Sequence, residues 1–445
     1  MSDNPGKRMT RESFQAPRGT RDFYPEQMAV LNWLFDLWRD TSRRHGFEEF
    51  DGPIFEHLDL YTIKSGEEIV SQLFNFEDRG GRQLAIRPEL TPTLARMIAA
   101  RANSLPRPIK WFSIPRACRA ERPQRGRLRE FFQWNVDVVG SESILADAEC
   151  IFVLLDFLRV VGLDSSCVEL RVNSRTIISS LLEQGAIEPQ RHEHVFSVMD
   201  KYERLDREAF RDYAREQQLS GSEIDLVMQI LDLSDLADVE TLAKSEQAKQ
   251  ELGQLKELQN YLVRLGVGDY FSYRSGVVRG LAYYTGIVFE IFDRSGKFRA
   301  VAGGGRYDKL IAMFGGPSMP AVGFGLGDAV LMELLRDLGK LPSPTPHRLP
   351  DFYVADTDPP LFDLALTIVG RLRAAGLAAE FSYKRQGLSK QLKQAGSRGA
   401  KTILIVGSET QEKQLITIKN LSDGSQQVIN LESLLANPAA YLSDR

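Results

Sequence analysis

Arg116-Ala-Cys-Arg-Ala-Glu-Arg-Pro-Gln-Arg-Gly-Arg-Leu-Arg-Glu-Phe-Phe-Gln-Trp-Asn-Val-Asp-Val-Val-Gly140 is the stretch from which the fold is read. Two strand-like runs flank an Arg-rich turn containing Pro123 and Gly126, so the simplest structure is a β-hairpin with a cationic loop. In the second run the strand period of two separates Phe132, Trp134, Val136 and Val138 from Gln133, Asn135 and Asp137. One face is core and the other is polar. Arg119 and Glu121 share a face of the first run, so a central sheet would turn an arginine and several hydrogen-bonding groups toward one pocket. A guanidinium there suits a phosphate on which charge develops, because it does not deprotonate and binds oxyanions bidentately. Glu121 offers a carboxylate to a metal or to an adenine amine.

Working outward, Ile86-Arg87-Pro88-Glu89-Leu90-Thr91-Pro92-Thr93 sets a carboxylate and a hydroxyl two residues apart beside a proline-stiffened turn, a place for an α-ammonium group. Ala302-Gly303-Gly304-Gly305-Arg306-Tyr307-Asp308 has three glycines in strand context, which mark either a bulge or a close approach of backbone to a ligand. Glu26 to Gly46 carries Met28, Leu31, Leu34, Phe35 and Leu37 at helical spacing and ends in a basic cluster that suits a helix C-terminus. Phe47 to Phe55 follows as a strand, with Pro53 at an edge or at an interface between chains, because proline cannot donate to a ladder. Strand patterning continues through 73–76, 83–86, 110–118 and 131–139. Ala146 to Val160 is helical, and about 174–265 is charged, Leu-rich and nearly free of aromatics, like an inserted helical module. Strands return at 273–292 and 300–302.

The Pro-rich 341–350 reads as a stiff linker, and beyond it strand and helix alternate as in a small α/β domain. Tyr383 to Lys401 holds Lys384, Arg385, Lys390, Lys393, Arg398 and Lys401 without one acid, a surface able to track phosphates. The whole chain nevertheless carries a net charge of -4, so nucleic-acid binding would rest on local patches. At 445 residues and 43% hydrophobic, the chain should divide into two or three domains. It shows neither a secretory signal nor an uncharged run of ~18 apolar residues, so it is expected to be cytoplasmic and to act away from membranes. Three widely spaced cysteines draw no disulfide framework or metal knuckle. His192 and His194 lack a third ligand nearby and read as a solvated helix face.

The arginine-bearing strand, variable loop and returning strand resemble the second signature of class II aminoacyl-tRNA synthetases, and the wording from Arg119 to Gln133 is similar to the histidyl-tRNA synthetases. Val278-Arg-Gly-Leu-Ala-Tyr283-Tyr284-Thr-Gly-Ile-Val-Phe-Glu290 resembles a signature peculiar to that family. The resemblance implies an α+β fold: a class II antiparallel sheet flanked by helices, with a helical insertion and a C-terminal α/β anticodon-binding domain. The parts would be a flexible tail 1–18, catalytic core 19–170 and 266–340, insertion 171–265, linker 341–350 and anticodon-binding domain 351–445. It implies activation of L-histidine by ATP and transfer to tRNA(His), in a homodimer built on the signature around Pro53. ATP with Mg2+ enters as a substrate complex, with no tightly bound protein cofactor.

By the same resemblance Arg119 and Arg279 are catalytic cations at the α-phosphate. Arg119, Glu121, Arg127 and Phe131 bind ATP, with Phe131 stacked on adenine and Glu121 the candidate for Mg2+. Glu89, Thr91, Gln133, Asp137, Tyr283, Tyr284 and Gly304 surround histidine, while Lys384, Arg385, Lys390 and Lys393 hold the tRNA. A neutral imidazole has one donor and one acceptor, and Asp137 with a tyrosine hydroxyl matches both.

Three positions depart from the family pattern. Val330 stands where the third signature carries an arginine for the ATP γ-phosphate, leaving Arg125 or Arg127 to replace it. Ala282 stands in the usual place of an aspartate, and Asp137 is one methylene shorter than the usual glutamate. The rival reading is a catalytically silent paralogue acting as an ATP phosphoribosyltransferase regulatory subunit. Such paralogues usually lack the arginine at Arg279 and the anticodon domain.

Overall fold

A computed structural model describes residues 14–62, 72–202, 205–279, 283–343 and 349–442. Part of the expected tail (1–13), part of the linker (344–348) and Ala282 lie outside the described residues. The chain forms two compact units, residues up to 22 with 31–341, and 23–30 with 342–445. Strands of the first unit are β1 (Glu48–Glu49), β2 (Phe55–His57), β3 (Phe74–Glu77), β4 (Gln83–Ile86), β5 (Ile109–Ser113), β6 (Arg116–Cys118), β7 (Glu130–Val139), β8 (Val168–Ser174), β9 (Phe271–Tyr273), β10 (Ile287–Asp293), β11 (Ala302–Arg306) and β12 (Ala321–Gly327). The main sheet runs β1-β5-β7-β12-β11-β10-β8-β9, with β6 on β7. Its pairings are antiparallel except at the two rims, β1 with β5 and β8 with β9.

The hairpin expected from the Arg-rich turn is β6 and β7, in the register Ala117↔Phe131. The single strand expected over 110–118 is two strands, because Pro115 lacks the N–H a continuous ladder needs. The expected strand from Phe47 to Phe55 shrinks to Glu48–Glu49 for a related reason: Pro53 lies outside any strand. Arg171 to Ser174, expected at the start of the insertion, instead pair with Glu290 to Ile287 inside the main sheet. Helices from Arg175–Gln184 to Glu246–Arg264 follow.

The apolar face of β7 packs under the first long helix, Pro25–Arg44. Trp134 stacks on Trp38 at 6.0 Å and meets Phe157 and Phe324 edge-on at 5.2 and 5.1 Å. The indole N–H of Trp134 donates to Ser42 Oγ at 3.0 Å. These large rings are buried, each contributing roughly 2 kcal/mol or more of burial free energy. Their packing leaves the opposite face of β7 for the site.

The second unit has β13 (Phe352–Asp356), β14 (Ala379–Phe381), β15 (Thr402–Val406), β16 (Leu415–Asn420) and β17 (Gln426–Asn430) in the order β14-β13-β15-β16-β17. Helices Phe362–Ala374 and Leu388–Ser397 provide the expected crossovers between its parallel strands. The antiparallel pair β16 and β17 was not expected from the sequence. Among the described residues no helix is long and apolar enough to cross a membrane.

One buried ion pair ties the sheet to its covering helix Ile144–Val160. Arg306, at the end of β11, donates through Nε to Asp147 Oδ2 at 3.0 Å and through Nη2 to the Ser143 carbonyl at 2.9 Å. Asp147 is fully buried, and burial pushes its carboxyl up to about 6 against the pull of Arg306. Removing the cation strands a buried charge, so Arg306→Met should cost ~3–5 kcal/mol of stability. Adding Asp147→Asn should recover part of that loss, with urea unfolding of the two variants as the measurement.

Candidate functional site

The polar face of β7 continues into a face of β12 that carries only glycines opposite it. The register pairs Gln133 with Gly327, Asn135 with Gly325 and Asp137 with Gly323, so every polar residue of this face has a glycine across the ladder. A Cβ on Gly323 would lie 1.9 Å from Asp137 Oδ1, and one on Gly325 would lie 2.6 Å from Gln133 Nε2. The next strand repeats the device: a Cβ on Gly303 would fall 1.7 Å from Arg279 Nη1. Missing β-carbons therefore make the floor of the site.

On this floor sit an inner recess of about 40 Å3 and an outer cleft of about 300 Å3. Glu89, Thr91, Asn135, Asp137, Tyr283, Tyr284 and Tyr307 line the recess. Glu121, Arg127, Phe131, Arg299 and Val330 line the cleft. Arg119, Gln133, Arg279, Gly303 and Gly325 border both. The two arginines, 160 residues apart in sequence, thus converge.

Each cation is held by identifiable partners. Arg119 donates through Nε to the Pro88 carbonyl at 3.1 Å and lies 5.2 Å from the centre of the Phe131 ring. Arg279 donates through Nη1 to Glu290 Oε1 at 2.6 Å and lies 5.6 Å from the centre of the Tyr284 ring. Its backbone is left-handed, with φ of +55°, a conformation that costs a non-glycine residue ~1 kcal/mol or more. Asn173 secures the approach by donating to the carbonyls of Ser275 and Val277. Arg127 pairs with Glu121, whose Oε1 is buried without a partner.

Glu89 and Thr91 occupy the turn and the start of helix Thr91–Arg101. Glu89 Oε2 accepts a hydrogen bond from the Tyr283 hydroxyl at 2.9 Å, and its Oε1 is buried without a partner. Burial raises the Glu89 carboxyl, while Arg119, Tyr283 and Arg279 pull it back. An unpartnered carboxylate oxygen beside an anion-seeking pair of guanidiniums suits a zwitterion, with an ammonium on one side and a carboxylate on the other.

The imidazole ring is expected between Asp137 and Tyr283 or Tyr284, and of these two tyrosines Tyr283 donates its hydroxyl to Glu89. Tyr307 instead donates to Asp137 Oδ1 at 2.6 Å. By the family resemblance the Gly-Gly-Arg-Tyr-Asp stretch that contains Tyr307 forms one wall of the histidine and ATP pocket, but that reading assigns Tyr307 no separate role there. Gly304 is a correction: alternation turns it away from the cavities, where a Cβ would strike Phe289 and Phe324 in the core, and Gly303 is the glycine that faces the site.

Asp328 was also missed. Fully buried at the start of helix Asp328–Asp337, it accepts from the Phe132 N–H at 2.9 Å and from Arg21 Nη2 at 2.7 Å, locking that helix to β7. Val330 lies on this helix and borders the cleft, next to Gly126. Of the two cations expected to replace an arginine there, Arg125 is turned to Glu333 and the Phe298 ring and does not line the cleft. In the second unit, Lys384, Lys390 and Lys393 are exposed. Arg385 donates to the Pro359 carbonyl and lies over Phe362.

The family profile for histidyl-tRNA synthetases matches residues 19–329, and that for an anticodon binding domain matches 352–437. A histidine-tRNA ligase of Opitutus terrae is 40% identical over 437 residues, covering 97% of this chain and 99% of that protein. The chloroplastic/mitochondrial histidine-tRNA ligase of Arabidopsis thaliana is 38% identical over 418 residues, covering 94% of this chain and 85% of that protein. The fold is similar to the crystal structure of histidyl-tRNA synthetase from Nostoc sp. PCC 7120, with a TM-score of 0.74 at 24% identity over 96% of this chain and 99% of that one.

Asp137 supplies a measurable signature. Burial pushes its carboxyl up to about 7, opposed by the Tyr307 hydroxyl. The folded chain then keeps a proton that the unfolded chain releases above ~4, so the carboxyl's contribution to stability falls as pH rises from ~4 to ~7 and levels off beyond. Asp137→Asn should lack that slope. Its stability relative to the parent should be greater at about pH 8 than at about pH 5, as read from urea midpoints.

Proposed function

The chain belongs to the histidyl-tRNA synthetase family, and from that premise we propose how its residues carry the ATP-dependent ligation of histidine to tRNA. Its activity is that of a histidine-tRNA ligase. The observation that carries the residue assignment is the convergence of Arg119 and Arg279 on the boundary between recess and cleft, beside the unpartnered oxygen of Glu89.

In this reading histidine occupies the recess. Its ammonium meets Glu89 and Thr91, and its ring lies between Asp137 and the tyrosines. The Asp137–Tyr307 hydrogen bond favours this: Tyr307 fixes the carboxylate so that one oxygen remains for an imidazole N–H. Gln133, at the junction, reaches the amino acid from the nucleotide side. Rejection of other amino acids then follows from buried polar groups that only imidazole satisfies.

ATP occupies the cleft, with adenine on Phe131 and its phosphates toward Arg119, Arg127 and Glu121. Magnesium enters with ATP, and the unpartnered Glu121 Oε1 is the carboxylate oxygen that fits it. As the histidine carboxylate attacks the α-phosphorus and pyrophosphate departs, negative charge grows on the oxygens between Arg119 and Arg279. Two preorganised guanidiniums lower the free energy of that charge, and the rest of catalysis is positioning, without a covalent enzyme intermediate. A hydroxyl at the 3′ end of tRNA(His) then attacks the acyl carbon of the adenylate, forming the ester as AMP leaves, while the second unit grips the tRNA through Lys384, Lys390, Lys393 and Arg385.

A homodimer, acting in the cytoplasm, completes the proposal. Exposed Ile54, Phe55 and Phe76 lie on or beside the small sheet β2-β4-β3, next to Pro53, and give an apolar face for self-association.

The decisive assay is L-histidine-dependent exchange between ATP and pyrophosphate. Arg279→Ala should reduce it by at least ~10²-fold with little change in histidine affinity, as for removal of a cation used in the transition state. Equal losses in rate and in affinity would assign Arg279 to ground-state binding instead.

A further inference from the structure

Among the described residues four guanidiniums border the outer cleft, and the roles proposed above use three of them. Arg119 and Arg279 stand at the junction with the recess, where the α-phosphate would lie, and Arg127 is paired with Glu121. Arg299 borders the cleft and not the recess. Since the α-phosphate belongs at the junction, the far end of a triphosphate chain belongs to the part of the cleft removed from it.

The Arg-rich turn locates Arg299 more closely. The N–H and C=O of Gln124 and Arg127 exchange two hydrogen bonds at 2.9 Å, closing a tight turn over Arg125 and Gly126. Arg299 donates through Nη2 to the Gln124 side-chain oxygen at 2.8 Å. On the same turn, a Cβ on Gly126 would lie 3.3 Å from Val330 Cγ2. One four-residue turn therefore contacts both Arg299 and Val330.

The segment carrying Arg299 is braced. Asp293 accepts from the N–H groups of Lys297 and Phe298, Lys297 pairs with Asp337 at 2.8 Å, and the Phe298 ring underlies Arg125 at 5.3 Å. A bracing of this kind limits the ordering cost when an exposed arginine engages a ligand.

We propose that Arg299 binds the terminal phosphates of ATP, and of pyrophosphate in the reverse reaction, as a ligand-positioning cation for adenylate formation. This rests on the assignment of ATP to the cleft. A charge-assisted contact of this type is worth roughly 10- to 100-fold in affinity.

The test uses the full-length protein with Arg299→Ala and Arg299→Lys. The expected result is a rise of roughly 10- to 100-fold in KM for ATP and for pyrophosphate with Arg299→Ala, and a smaller rise with Arg299→Lys. Affinities for AMP and for histidine, by calorimetry, should stay within about two-fold, since neither carries the terminal phosphates. Introducing Val330→Arg into Arg299→Ala should restore part of the ATP affinity. Unchanged KM values for ATP and pyrophosphate in Arg299→Ala would overturn the proposal, and so would a matching loss of AMP affinity. Absence of histidine-dependent exchange in the unsubstituted, folded protein would instead overturn the ATP assignment itself, so the two failures are separable.

Discussion

The pairing of β7 with β12 is the constraint from which the site follows. Antiparallel register brings Gln133, Asn135 and Asp137 against Gly327, Gly325 and Gly323, and the strand period turns all six to one face. Because hydrogen-bonded strands lie only ~5 Å apart, a side chain on Gly323 or Gly325 would occupy the volume of Asp137 or Gln133. The apolar residues between them, Trp134, Val136 and Phe324, are pinned into the core on the other face. A slip of one residue would exchange the faces and bury three polar groups in hydrocarbon. Core packing and site geometry are thus set by the same register.

The cations of the site are already paired before a ligand arrives: Arg279 with Glu290, Arg127 with Glu121, Arg119 with the Pro88 carbonyl. Such partners fix rotamers and offset the mutual repulsion of clustered guanidiniums. They also set a threshold, since a phosphate must compete with a carboxylate for the same N–H groups. Glu89 shows the converse, a buried carboxylate oxygen without a donor, a deficit that an incoming ammonium would remove.

How much of this was legible in the residues depended on whether the signal was local. The period of two in β7 is a property of ten consecutive residues, and the hairpin with its cationic turn follows from it. Helices such as Pro25–Arg44 and Ile144–Val160 were likewise visible from spacing. The breaks were placed less well: Pro115 splits a run expected to be one strand, and Pro53, though expected at an edge, ends up outside any strand. Residues defined by a distant partner were the ones lost. Asp328 matters only because Phe132 and Arg21 come to it, and Tyr307 only because Asp137 lies within reach. Gly304 was chosen over Gly303 because facing depends on the pairing of β11, which three successive glycines do not reveal.

A cavity walled by main chain has an asymmetric response to change. Where side chains form the wall, substitution by smaller residues widens the space and substitution by larger ones narrows it. Here Gly303, Gly323 and Gly325 have nothing left to trim, so at these positions point mutation can only make the slot smaller. A compound fitted tightly against that floor would meet resistance there only through obstruction, which harms the natural ligand by the same stroke, while enlargement at the floor itself is closed.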